Sequence, residues 1–412
     1  MTLDARIAIE ALRAGVPNRA AIRLMGNEHS AIEHRFDEAL HAAWAPGARA
    51  GLGFAGGFGT GKSHLLLYLA EVARQQNFVV SRVVISKETP LAQPAQVFAA
   101  AIRDATLPSG PDDALTAALA ALRARPAAQD QLEEAVSTPA GAFAPLFAAA
   151  LFLLRRSATA PEVVRRLERF LGGARLAPAV LRRALKEAGA HKTFAIGAVE
   201  ANDLVKQRIA FLPLLFRAAG YAGWCILLDE VELIGRYTPL QRAQSYAWLA
   251  RWLGLAGARP FPGIVTAYAI TDDFATAVIN ARLDGEKLPE RLRLKGRAPD
   301  AARAEAAIAE IERTVQAHRL PPPDDDALIA CHDRLRGLYA EAYGWPAPPL
   351  PPPERTSSRT MRHYIKTWIT QWDMARLYGT AGPIVGETLA TPYDETDDLA
   401  AAPPTPDDDE AA

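Results

Sequence analysis

Eight consecutive residues, Gly56-Gly57-Phe58-Gly59-Thr60-Gly61-Lys62-Ser63, match the phosphate-binding spacing G-x-x-x-x-G-K-[ST] at every position. Glycine lets successive backbone N–H groups turn inward and wrap a phosphate chain. A helix that starts at the end of such a loop adds its positive N-terminus. In this pattern Lys62 reaches the β- and γ-phosphates of a nucleoside triphosphate, and the Ser63 hydroxyl ligates Mg2+. His64, next in the chain, joins the cradle of residues 56–64. ATP and Mg2+ are therefore the expected ligands.

A second constellation lies 167 residues beyond Lys62. Cys225-Ile226-Leu227-Leu228-Asp229-Glu230 is an apolar strand ending in two carboxylates. Behind a phosphate loop it reads as the second nucleotide-binding element. Asp229 holds the hydration shell of Mg2+, and Glu230 orients and deprotonates the attacking water. Glu232 reads only as a solvated helix start. A third apolar run, residues 263–270, leads into Thr271-Asp272-Asp273. A polar side chain at this strand end suits a sensor of the γ-phosphate. Thr271 is the first candidate and Asp272 the second, with a helix N-cap at Asp272 or Asp273 equally compatible. Cationic completion falls to Arg291 or Arg293 as a finger, or to Arg359 or Arg362 as a second sensor.

These motifs need elements to carry them. Residues 51–55, 78–85, 224–228 and 263–270 have strand character, and 291–294 reads as a short fifth strand. Helical spacing covers 3–13, 18–25, 29–43, 62–75, 94–104, 203–219, 239–254, 299–318, 324–342 and 357–377. The stretch 106–202 shows no strand and no fixed-period repeat, and it reads as a helical insertion. The expected class is α/β: a P-loop NTPase, AAA-like, with a three-layer core around a parallel sheet, a helical insertion and a C-terminal helical lid. The expected units are an N-terminal helical segment (1–46), the two halves of the core (47–105 and 203–296), the insertion (106–202), the lid (297–380) and an acidic tail (381–412). The strands carrying the loop and Asp229 should be near neighbours. Trp248 with Trp252, and Trp368 with Trp372, each make one helical face suited to core packing.

Composition narrows the class. Of 412 residues, 50% are hydrophobic and 23% charged, which excludes a disordered chain or a coiled-coil rod. Two cysteines exclude a disulfide framework, and the scattered His29, His34 and His41 form no metal site. The most apolar run, 142–154, is shorter than the roughly 20 residues of a spanning helix. With Asp4, Arg6 and Glu10 at the start, a soluble cytoplasmic protein is expected, with no membrane partner. Nine acidic and no basic residues lie between 387 and 412, so the rest carries 46 basic against 38 acidic residues, a net of +8. That balance allows contact with nucleic acid without demanding it.

Residues 56–67 (GGFGTGKSHLLL) and 78–91 (FVVSRVVISKETPL) together resemble the ATP-binding D component of BREX phage-defence systems. Residues 11–19 (ALRAGVPNR) are similar to that family's opening helix, and Arg359-Thr360-Met361-Arg362 to its lid segment. The resemblance spans most of residues 5–380. Where the family tends to carry Pro before the first lid Arg, Ser358 stands here. The resemblance implies an AAA-like ATPase working with other defence-system proteins, associated with double-stranded DNA in the manner of origin-recognition ATPases. A ring or dimer completing the site from a neighbouring subunit, that is a homo-oligomer, fits this class. A nucleotide-gated scaffold with slow hydrolysis is the alternative reading. A small-molecule kinase is disfavoured by Glu230.

Overall fold

The computed structural model describes residues 2–16, 18–26, 29–47, 51–110, 113–138, 143–256, 261–350 and 360–379. The chain opens with helices α1 (Leu3–Ala14), α2 (Arg19–Met25) and α3 (Ser30–His41). Strand β1 (Gly51–Ala55), α4 (Lys62–Gln75), β2 (Phe78–Val84) and α5 (Pro94–Arg103) follow. Then come α6 (Ala114–Arg123), α7 (Pro126–Ser137), α8 (Pro145–Arg155), α9 (Pro161–Leu171) and α10 (Pro178–Glu187). Helix α11 (Ala201–Ala219) returns to β3 (Gly223–Asp229), a 3-10 turn (Val231–Arg236), α12 (Pro239–Leu253) and β4 (Ile264–Ile270). The chain continues through a π-helical turn (Ala275–Asn280), α13 (Asp284–Leu294), α14 (Ala298–Ala317), α15 (Asp325–Tyr343) and α16 (Met361–Tyr378). Proline opens α7, α8, α9 and α10, where its missing N–H costs nothing.

The four strands form one parallel sheet in the order β1-β4-β3-β2. Leu227 pairs with Ala267, Phe54 with Ala269, and Val84 with Asp229. The loop strand and the Asp229 strand thus share the sheet, one strand apart, with β4 between them. Side chains alternate between two faces. Leu52, Phe54, Val80, Cys225, Leu227 and Ala267 pack against α3 and α4. Val79, Val83, Ile226, Leu228, Tyr268 and Ile270 belong to a larger core shared with α5, α11, α12 and α14. The result is three layers, helix on sheet on helix. Helices α6–α10 extend the larger core outward. Beyond β1, Ala55 N–H donates to His318 O at 3.0 Å and Leu320 N–H to Ala55 O at 2.7 Å, so residues 318–320 line that sheet edge.

A separate apolar cluster joins the two ends of the chain. Ala8, Ile9 and Leu12 of α1 pack with Leu335 and Tyr339 of α15 and with Trp368 and Trp372 of α16. Arg13 clamps Asp373 with two bonds of 3.0 Å. Trp248 and Trp252 are buried in the larger core, so both tryptophan pairs serve packing.

One expected strand is corrected. Residues 291–294 form the last turn of α13, not a fifth strand. Leu288 and Leu292, one turn apart, are buried, whereas Arg291 and Arg293 face outward. Four alternating residues satisfy either period, and burial of the i, i+4 pair selects the helix. Residues 357–359 of the expected last helix, Arg359 among them, and the acidic tail lie outside the described residues.

Candidate functional site

The site is built where β1, β3 and β4 end. After β1 the chain enters the loop of residues 56–61 and turns into α4 at Lys62. Gly59 has φ +80° and Gly61 +106°, the left-handed region that turns peptide N–H groups inward. A side chain at Gly59 would also stand 2.6 Å from Thr360 Oγ1. Thr60 Oγ1 donates to Gly57 O at 2.9 Å and tightens the loop. Lys62 is buried and folds back over it, donating to Gly56 O at 2.9 Å and Gly57 O at 3.2 Å. Its ammonium therefore sits inside the bowl that the loop makes. Ser63 is half-exposed at the head of α4. Phe58 stands out into solvent with the Arg362 guanidinium 5.5 Å from its ring centre.

The carboxylates arrive from β3. Asp229 is 1% exposed. Its Oδ1 accepts the Glu230 backbone N–H at 3.1 Å, and its Oδ2 accepts Arg82 Nη2 at 2.7 Å. Glu230 takes a left-handed conformation, φ 57°, that ends the strand abruptly and leaves its side chain exposed. Partial burial, and then the charge of Asp229, hold the Glu230 carboxyl above the usual carboxylate range. Glu232 departs from the expected solvated helix start. It is 6% exposed, with Oε1 3.9 Å from Lys62 Nζ and Oε2 buried without a hydrogen-bond partner. Burial pushes its carboxyl up to about 7, and the Lys62 charge only partly offsets this. Lys62, Asp229, Glu230 and Glu232 thus form one electrostatically coupled group.

Thr271 directly follows β4, the strand between β1 and β3, and is buried. Asp272 pairs with Arg319, and its Oδ1 lies 3.9 Å from where a Gly57 Cβ would stand, beside the loop. Arg362 opens α16, and its N–H meets Gly59 O at 3.4 Å. Of the finger candidates, Arg291 is exposed on α13 and Arg293 pairs with Glu305 of α14. His64 lines the same cavity as Gly59, Gly61 and Ser63, with its side chain turned toward the end of α2. It packs under α2 with Nε2 2.9 Å from Gly26 O, and burial depresses its imidazole below the ordinary value.

A cavity of about 290 Å3 opens beside the loop. Its lining includes Gly59, Gly61 and Ser63 of the loop and α4, Met25, Gly26 and His29, and Pro321, Cys331, Arg334 and Arg362. Arg334 is fixed by donation to Met25 O at 2.7 Å. Sequence reasoning missed Arg82, Glu232 and Arg334. The first two carried a signal: Arg82 is a charge inside an apolar strand, and Glu232 closes the acidic run that Asp229 begins.

The donor set fits a nucleoside triphosphate with a divalent cation. Left-handed glycines shape a bowl for phosphate, a buried lysine lies in it, and a hydroxyl and a carboxylate flank it. Residues 2–138, a third of the chain, match the family model described as BREX system ATP-binding protein BrxC/D, which bears out the resemblance. The matched segment carries the loop and ends before β3. No curated protein and no solved structure matches the chain. No helix among the described residues is long and apolar enough to cross a membrane.

Proposed function

We propose that the chain is an AAA-like P-loop ATPase that binds and hydrolyses Mg-ATP within a BREX-type defence complex acting on or near double-stranded DNA. The observation that carries this reading is the meeting of Lys62, at the end of the glycine-rich loop, with the acidic run that ends β3. The backbone N–H groups of residues 57–63 would take the phosphates. Lys62 would leave the loop carbonyls for the β- and γ-phosphates. Ser63 and Asp229 would hold Mg2+, which neutralises charge on the phosphates when bound. Glu230, exposed and with a raised proton affinity, is suited to accept the proton of an attacking water near neutral pH. Thr271 would touch that water or the γ-phosphate, and Arg362 would supply positive charge from α16. The base would enter the cavity between α2, residues 321–323 and α15. BREX-type proteins are the expected partners, and the cytoplasm the expected compartment.

The test is the Glu230→Gln variant. ATP binding should persist while phosphate release falls at least about 100-fold. Unchanged turnover would remove Glu230 from the mechanism. A nucleotide-gated scaffold is the second reading, favoured by the seating of the α1–α2–α15–α16 cluster on the loop through Arg362 and Thr360. Turnover that is slow and indifferent to duplex DNA would select it.

A further inference from the structure

The helical insertion carries a feature that nucleotide chemistry does not use. Residues 161–175 and 178–192 are a tandem repeat, offset by 17 positions. Pro161, Arg165, Arg166, Arg169, Gly172 and Arg175 recur as Pro178, Arg182, Arg183, Lys186, Gly189 and Lys192. This corrects the expectation of no fixed-period repeat. The matches sit mainly at basic and boundary positions, while most apolar residues between them vary, which hides the period from a hydrophobicity reading. Each unit is one helix, α9 and then α10. Arg165 and Arg169 are one turn apart, with Arg166 beside them, and Arg182, Lys186 and Arg183 repeat the arrangement. The opposite faces, with Leu167, Phe170 and Leu171 on α9 and Leu181, Ala184 and Leu185 on α10, are buried in one core.

The charge is concentrated and exposed. Residues 155–192 hold ten Arg or Lys against three Asp or Glu, a net of +7, and all ten cations face solvent. Arg166 and Arg183 have i, i+4 carboxylate partners, weak at an exposed helix surface. Among the described residues, Arg165, Arg169, Arg175, Lys186 and Lys192 have no ion pair. The turn between the helices is anchored from below. Arg208 of α11 is buried, lies 4.7 Å from the Phe170 ring centre, and donates to Gly173 O at 2.9 Å and to Ala174 O. The cations thus stand on a fixed frame. The same helix α11 runs on to β3 and Asp229.

We infer that α9 and α10 form a binding surface for the phosphate backbone of double-stranded DNA. Guanidinium forks match phosphate oxygens, and a set of cations repeated on two successive helices suits a regularly spaced polyanion. An anionic membrane would call for apolar anchors beside the cations, and single-stranded nucleic acid for stacking aromatics. Among the described residues the insertion exposes no large hydrophobic or aromatic side chain. A helix with an outward basic face fits the wide major groove of B-form DNA but not the narrow one of A-form RNA. The inference rests on the DNA-directed part of the proposed function, and its test uses neither ATP nor turnover: an unchanged fourfold variant overturns the inference alone, and absent wild-type binding overturns both while leaving the ATPase reading standing.

The experiment is fluorescence anisotropy of the full chain with a labelled mixed-sequence DNA duplex of about 30 base pairs, between about 50 and 200 mM NaCl, without nucleotide. Wild-type affinity should fall steeply with salt. The variant Arg165→Gln/Arg169→Gln/Arg182→Gln/Lys186→Gln should bind at least about tenfold more weakly at low salt, with the slope reduced by about one for each phosphate no longer neutralised. Lys287→Gln/Lys295→Gln/Arg336→Gln, equal in kind but outside the insertion, should bind as wild type. If the fourfold variant is not recovered folded, the two single-helix pairs are read instead, each with about half the change in slope. No wild-type binding, an unchanged fourfold variant or an equal loss in the control overturns the assignment. So does equal affinity for an RNA duplex of the same sequence, or binding of phosphatidylserine vesicles in place of DNA.

Discussion

Glu232→Gln isolates the least expected electrostatic feature of the site. Glu232 is buried beside Lys62, with one carboxylate oxygen lacking a hydrogen bond and its carboxyl pushed up to about 7. The unfolded chain carries an ordinary glutamate near pH 4.5. The folded state therefore holds the proton more tightly. That contribution is fully present below the unfolded value and is lost as pH rises through about 7. The gap corresponds to about 3 kcal/mol. The substituted amide would keep the shape without titrating, so the cost of burying a charge disappears from the variant above neutrality. For a cooperative unit of 412 residues, about 3 kcal/mol moves the melting midpoint by about 4 °C. Thermal melts of both proteins at about pH 5 and pH 8 measure this. The wild type should lose about 4 °C against the variant over that range. A difference that stays flat with pH would refute the buried, proton-retaining carboxylate.

Other perturbations probe different parts. Gly59→Ala should abolish ATP binding, because φ +80° strains any L side chain and the new methyl meets Thr360; equilibrium binding of a fluorescent ATP analogue reads it. Arg82→Gln frees Asp229 from a 2.7 Å ion pair, and the Mg2+ concentration at half-maximal turnover should fall roughly fivefold, as titration of the ATPase rate would report. Asp284→Ala leaves the buried Arg242 without its two 3.0 Å bonds and should cost about 3–5 kcal/mol, read as a lowered urea midpoint. Arg13→Ala breaks the clamp on Asp373 that ties α1 to α16; ATP affinity should weaken while the folded core persists by circular dichroism.

The sequence by itself determined the local chemistry. The glycine spacing before Lys62, the apolar run before Asp229 and Glu230, and the strand before Thr271 all fell on the elements expected of them. Such signals are local: a glycine-rich turn, a buried strand or a 3.6-residue period is encoded within about a dozen residues. What depends on distant covering was decided only by the tertiary structure. Glu232 is buried where the turn after β3 packs against β4 and α12, with Lys62 Nζ 3.9 Å away, and nothing within residues 229–236 shows that. Arg82 meets Asp229 because register aligns Val84 with Asp229 across two strands remote in the chain. The cluster against the loop draws α1 and α2 from one end and α15 and α16 from the other, a pairing with no local signature. Residues 291–294 suited either period until the burial of Leu288 and Leu292 chose the helix. Burial and charge pairing are properties of what packs around a residue, so they enter only when the chain closes on itself.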